Sequence, residues 1–249
     1  MHRLCRVNQL TTMNPYQKLL ERKRTWTPVQ TTAGKLRPGS EETIRRALAI
    51  RHMELPVGEF INEALRSEVP ALSRELLVSN IKDEERHDLA LNYVAAALGV
   101  DPEAEAEALR LRAAWEAHPD HTITKALVAE RAIFFVLLPF FRANGDAGLR
   151  TTSADISRDE QIHVACNSLV CKELGYDPSP SLDKLRRATM AWVLKPLTNN
   201  ENKFLDKKFW MDSSDRLMYE GKAPELSFTK SARMPAFFEH SNVNLPQYA

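Results

Sequence analysis

Cysteine is scarce. Cys5, Cys166 and Cys171 are the three in 249 residues. They form no CxxC, and an odd number cannot all pair, which excludes a disulfide-stapled scaffold and fits a reducing cytoplasm. Net charge is nearly absent too: 34 Lys and Arg against 33 Asp and Glu leave +1, so electrostatics give no reason to expect nucleic acid or an acidic partner. Long apolar runs are missing. The longest, Ala132 to Phe141, falls far short of the roughly 20 residues a membrane-spanning helix needs. Residues 1–10 carry charge without the apolar core of a signal peptide, so neither secretion nor membrane insertion is expected. No low-complexity segment interrupts the chain. What is present is 43% apolar content, enough for a sizeable core in one large domain.

Proline and glycine divide the chain. Residues 1–40, with Pro15, Pro28, Gly34, Pro38 and Gly39 toward their end, read as an irregular N-terminal arm, and its basic cluster Arg22-Lys23-Arg24 reads as solvated. Residues 41–220 read as one helical domain. Residues 221–249, with Pro224, Pro235 and Pro246, read as an extended tail. Within the domain, Ser40-Glu-Glu-Thr43 starts a helix running to about Leu65, which Pro56 should kink. A second helix follows Pro70 and stops at Gly99. Asp101 to His118 reads as an exposed connecting helix. A third helix covers about Thr122 to Phe141, and a fourth about Thr152 to Leu174, stopped by Gly175. Leu182 to Leu194 reads as another helix, and Glu201 to Tyr219 as shorter ones.

Two of these helices carry the same motif, DExxH: Asp83-Glu84-Glu-Arg-His87 and Asp159-Glu160-Gln-Ile-His163. Residues three apart share a helix face, so each Glu and His present an oxygen and an imidazole nitrogen to one point. A single chance match is expected only roughly a few hundredths of a time at this composition, and two far less often. Each of the other two helices offers an inward carboxylate. Glu130 lies in the very apolar Ala129 to Phe141, where a charge must be paired or ligated. Glu54 lies on the Ala47, Ile50, Val57, Ile61 face, with Glu59 and Glu63 as rivals away from it. The spacings agree: 84 − 54 = 30 and 160 − 130 = 30. Each pair therefore fits an antiparallel hairpin turning midway, near Glu68 to Pro70 and near Asn144 to Gly148. Four carboxylates and two imidazoles from four helices are the ligand recipe of a di-metal bundle. Asp83 and Asp159 could each accept a hydrogen bond from the outer nitrogen of the opposite motif's His.

On these residues the chain, over about 41–175, resembles the ferritin-like di-iron carboxylate proteins. Glu130 through His163 looks most like the ribonucleotide reductase small subunit, and the tail Ala236-Phe-Phe-Glu239 with Tyr248 is faintly similar to its C-terminus. Asp83 to His87 looks more like bacterial di-iron monooxygenases and acyl carrier protein desaturases. One departure stands out: Leu91 occupies the position where radical-forming small subunits carry tyrosine. Another is the short stretch between Glu84 and Glu130, 130 − 84 = 46 residues.

The resemblance implies an all-α, ferritin-like four-helix bundle with additional C-terminal helices. It implies two iron ions, or an iron and manganese pair, on Glu54, Glu84, His87, Glu130, Glu160 and His163, with Glu84 and Glu160 bridging. It implies an oxidoreductase that activates O2, with Leu91, Ile133, Phe134 and Leu137 walling the substrate side. The first expectation is an oxygenase, oxidase or desaturase acting on a small organic molecule and served by an electron donor protein or reductase. The alternative is a ribonucleotide reductase small subunit that oxidises a large subunit, and a further one is ferroxidase or iron handling. A homodimer is implied as well.

Overall fold

The computed structural model describes residues 14–67 and 69–228. Every regular element among them is helical; one isolated parallel bridge joins Thr198 and Asp206. The arm holds a short helix, α1 (Pro15–Leu20), where an irregular chain was expected. Its N-terminus is satisfied by the Asn14 side chain, and proline at the first position has no N–H to lose.

Helix α2 (Glu41–Ala49) begins with Glu41 and Glu42, whose charges suit the positive end of the helix dipole. It tightens into a 3-10 turn, Ile50–Met53, before α3 (Glu54–Ala64). The cause is Pro56. Without an N–H it cannot bond the His52 carbonyl, so the expected kink takes the form of a tightened turn one step ahead. Helix α4 (Arg74–Leu98) returns antiparallel and stops at Gly99. Helix α5 (Pro102–Glu116) is less exposed than expected, because Trp115 at its end is fully buried and donates Nε1 to Thr189 at 3.1 Å.

The second hairpin starts with α6 (Thr122–Ala129), passes through a π-helical segment, Glu130–Phe134, and continues as α7 (Phe135–Asn144). Helix α8 (Ala147–Leu174) returns, capped by the Asp146 side chain and ended by Gly175 at φ 69°. That left-handed turn is strained for residues with a Cβ. Helix α9 (Pro180–Val193) and a single α10 (Lys207–Glu220), where shorter pieces were expected, follow.

Helix α3 packs on α4, α7 on α8, and the two hairpins join through α3 with α6 and α4 with α8. The apolar faces meet in one core containing Ile44, Leu77, Ile123, Phe140 and Trp210. Burying each such side chain contributes about 1.5–3 kcal/mol. No described helix is long and apolar enough to cross a membrane.

Two outlying parts brace the bundle. The arm crosses the α7–α8 turn, where Gly34 N donates to Asp146 at 2.8 Å and Arg37 N to Asn144 O at 2.8 Å. It lies so close to α8 that a Cβ on Gly148 would sit 2.9 Å from the Thr31 side chain. On the other side, Ser214 of α10 donates Oγ to the Ala132 carbonyl at 2.6 Å, within the π-helical segment. Ser214 in turn accepts from the fully buried Arg186 of α9 at 2.6 Å. The tail positions Ala236 to Glu239 and Tyr248, like Cys5, lie outside the described residues.

Candidate metal centre

The 3-10 turn ends at Glu54, and the π-helical segment begins at Glu130. Each irregularity sets the rotation at which its carboxylate enters the bundle. Helices α4 and α8 are regular at their motifs, so Glu84 with His87 and Glu160 with His163 project from single faces. The structure brings all six side chains together, each at most 1% exposed. They form two overlapping groups, Glu54, Glu84, His87 and Glu160, and Glu84, Glu130 and His163, whose donor atoms lie within 4.8 Å of one another in each.

Both imidazoles aim Nδ1 inward. His87 Nδ1 lies 3.3 Å from Glu160 Oε1 and 3.5 Å from Glu84 Oε2. His163 Nδ1 lies 2.9 Å from Glu84 Oε1 and 3.6 Å from Glu160 Oε1. Glu84 thus turns one oxygen to each ring, and Glu160 Oε1 faces both. Outside, His87 Nε2 meets Asp159 Oδ2 at 3.2 Å and His163 Nε2 meets Asp83 Oδ2 at 3.0 Å. With Nε2–H donated outward to a carboxylate, each Nδ1 is left as an inward acceptor.

Nine inward atoms have no hydrogen-bond partner: both oxygens of Glu54, Glu84 and Glu160, Oε1 of Glu130, and Nδ1 of His87 and His163. Leaving one buried polar group unsatisfied costs about 1–3 kcal/mol. Nine gathered in two overlapping groups of oxygen and imidazole donors are able to hold cations. The charges close on this reading. Four ionised carboxylates balance two divalent ions, while Asp83 and Asp159 are met by Lys23 and Arg86.

Burial and mutual charge pull the proton affinities of the cluster apart. Burial pushes Glu54 and Glu130 well above the usual carboxylate range. Burial would raise Glu84 too, but the His163 and His87 imidazoles hold it far below that range. Burial alone would lower His87 and His163, yet the surrounding carboxylates keep both well above an ordinary histidine.

Glu59 and Glu63 lie exposed on a surface cavity with Asp120 and His121, away from the cluster that buries Glu54. Leu91, Ile133, Phe134 and Leu137 are all buried in the main core. Three surface cavities, of about 850, 440 and 310 Å³, are lined by other residues. Cys166 is fully buried beside Glu130 and belongs to neither donor group; burial, then Glu130, pushes its thiol up.

Sequence reasoning missed four contributors. Lys23, expected to be solvated, ion-pairs with Asp83 and donates to Asn80 at 2.8 Å. Trp26 donates Nε1 to Asp159 Oδ2 at 2.7 Å, and its ring lies 19° from parallel with His87 at 6.2 Å. Arg86 pairs with Asp83 and stands over Trp26 at 5.9 Å. Asn167 donates to Glu130 Oε2 at 2.6 Å. It sits one turn past His163, so extending the motif face would have found it. Lys23 and Trp26 carry no periodic signal.

The chain matches no described protein family and no curated protein. It is similar in structure to a provisionally assigned class I ribonucleotide reductase from Bacillus halodurans, with a TM-score of 0.56 and 13% identity over 92% of this chain and 94% of that one. At that identity the likeness is one of fold, and the chain has an all-α, ferritin-like fold around a buried Glu/His cluster able to hold metal.

Proposed function

We propose that this protein is an O2-activating oxidoreductase whose cofactor is two iron ions, or one iron and one manganese, held by Glu54, Glu84, His87, Glu130, Glu160 and His163. The observation that carries this reading is the convergence of nine unpartnered buried atoms, all oxygen or imidazole nitrogen. Such donors suit hard or borderline ions that change oxidation state, and none is a thiolate. Bound there, the ions would supply the reduction of O2 and the oxidising power that follows from it.

The remaining roles belong to the chain. Asp83 and Asp159 fix the tautomers of His163 and His87. Glu54 and Glu130 hold protons until cations replace them. Leu91, Ile133, Phe134 and Leu137 keep water out. Trp26 is an oxidisable side chain joined to a ligand imidazole by hydrogen bonds through one carboxylate, and Asp159 Oδ2 is placed to take the indole proton.

That relay favours a target reached from the Trp26 side, as in a radical-generating small subunit acting on a larger catalytic partner. A second reading, oxidation of a small organic molecule supplied with electrons by a reductase, is favoured by Leu91 at the place of a radical tyrosine. The test is to load the metal-free protein with ferrous ion without oxygen, admit O2, and record metal content and electron paramagnetic resonance spectra. Two ions per chain and a tryptophan radical lost in Trp26→Phe support the first target; two ions and no protein radical support the second. A chain that holds less than one ion sinks the centre and both readings.

A further inference from the structure

The two halves of the centre share a donor outline but not their surroundings, and two contrasts set the His163 half apart. Asp83 Oδ2, which accepts from His163 at 3.0 Å, also takes the Lys23 ammonium, and Asp83 Oδ1 takes the Arg86 guanidinium. Asp159 Oδ2, which accepts from His87, takes instead the neutral indole N–H of Trp26, with Arg86 no nearer than 3.8 Å. In the second place, Glu130 gives Oε2 to Asn167, whereas both oxygens of Glu54 are unpartnered.

A carboxylate strengthens an imidazole ligand by drawing on its outer N–H, and does so less when its charge is shared with cations. An ammonium held at the outer edge also repels a cation within. We infer that Lys23 makes the two metal positions unequal: the Glu54/His87 position fills first and more tightly, and the Glu130/His163 position is held weak by Lys23 acting through Asp83. Lys23 is thus a positioning residue that sets the order of loading and gives two different ions separate places. The inference rests on the two-ion reading above and goes beyond it.

The experiment is calorimetric titration of the full-length, metal-free protein with Mn²⁺. The wild type should bind in two resolved steps, with Glu54→Ala removing the tighter and Glu130→Ala the weaker. Lys23→Met should tighten the weaker step by about tenfold and leave the tighter one in place, and Lys23→Arg should restore the wild-type gap. Asp83→Asn should move the weaker step the other way, by about tenfold. Two indistinguishable steps in the wild type overturn the inference. So does a Lys23→Met protein in which both steps loosen together, the mark of a merely structural arm. Absence of Mn²⁺ binding in every variant instead overturns the two-ion reading, so the two failures are told apart.

Discussion

The two hairpins repeat a chemical pattern on backbones deformed in opposite senses. Before Glu54 the helix is overwound into a 3-10 turn; from Glu130 it is underwound, and the Phe135 N–H reaches back to the Glu130 carbonyl. A 3-10 turn rises faster and rotates further per residue than an α-helix, and a π segment does the reverse. Equal spacings of 30 residues thus deliver carboxylates through unequal geometry. The supports differ as well. Pro56 and the α4 packing hold the first hairpin's defect, while Ser214 and Arg186, from helices outside the four-helix core, hold the second's. The spacing of a motif chooses the face on which a ligand lies, and the defect with its brace chooses where on that face it ends.

The hardest test of the comparison is a residue that faces both halves. Glu84→Ala should abolish binding of both ions, measured by metal content after gel filtration, whereas Glu130→Ala should spare the ion on the other half. Next in size is the brace. Ser214→Ala leaves the Ala132 carbonyl and an Arg186 N–H without their partner, which should cost about 1–3 kcal/mol in denaturant unfolding. It should also weaken only the Glu130 half; a loss shared by both halves would break the proposed division.

The pH dependence follows in size. Glu54, Glu130, His87 and His163 all have raised affinities in the metal-free fold, so that fold binds more protons than the unfolded chain. The stability they confer is present at low pH and is lost as pH rises through their folded values. Cations replace those protons. The rise in melting temperature on adding Mn²⁺ should therefore grow with pH, and calorimetry in buffers of different ionisation enthalpy should show proton release on binding. The smallest effect concerns Trp26→Phe, which keeps an aromatic ring, though a smaller one, and loses one hydrogen bond. It should lower stability by about 0.5–1.5 kcal/mol, read by thermal unfolding, and leave both ions bound.

Much of this was written in local sequence. The helical face carrying Glu84 and His87, its counterpart carrying Glu160 and His163, and the turns at Pro70 and Gly145 all follow from periodicity and turn chemistry within about thirty residues. The π-helical segment did not, because the Ser214 hydroxyl that takes up its Ala132 carbonyl lies 82 positions away. Lys23 and Trp26 did not, because their partners are 60 and 133 positions away and their own stretch has no repeating pattern. The burial of Trp115 did not either, since its partner Thr189 lies 74 positions further on.

Those long separations join distant parts of the chain. The carboxylates that receive Lys23 and Trp26 sit on α4 and α8, one in each hairpin. Lys23 on Asp83 and Trp26 on Asp159 tie the first hairpin to the second along one side of the cluster. One stretch of arm therefore holds the outer carboxylates of both halves, so whatever displaces it disturbs both halves at once.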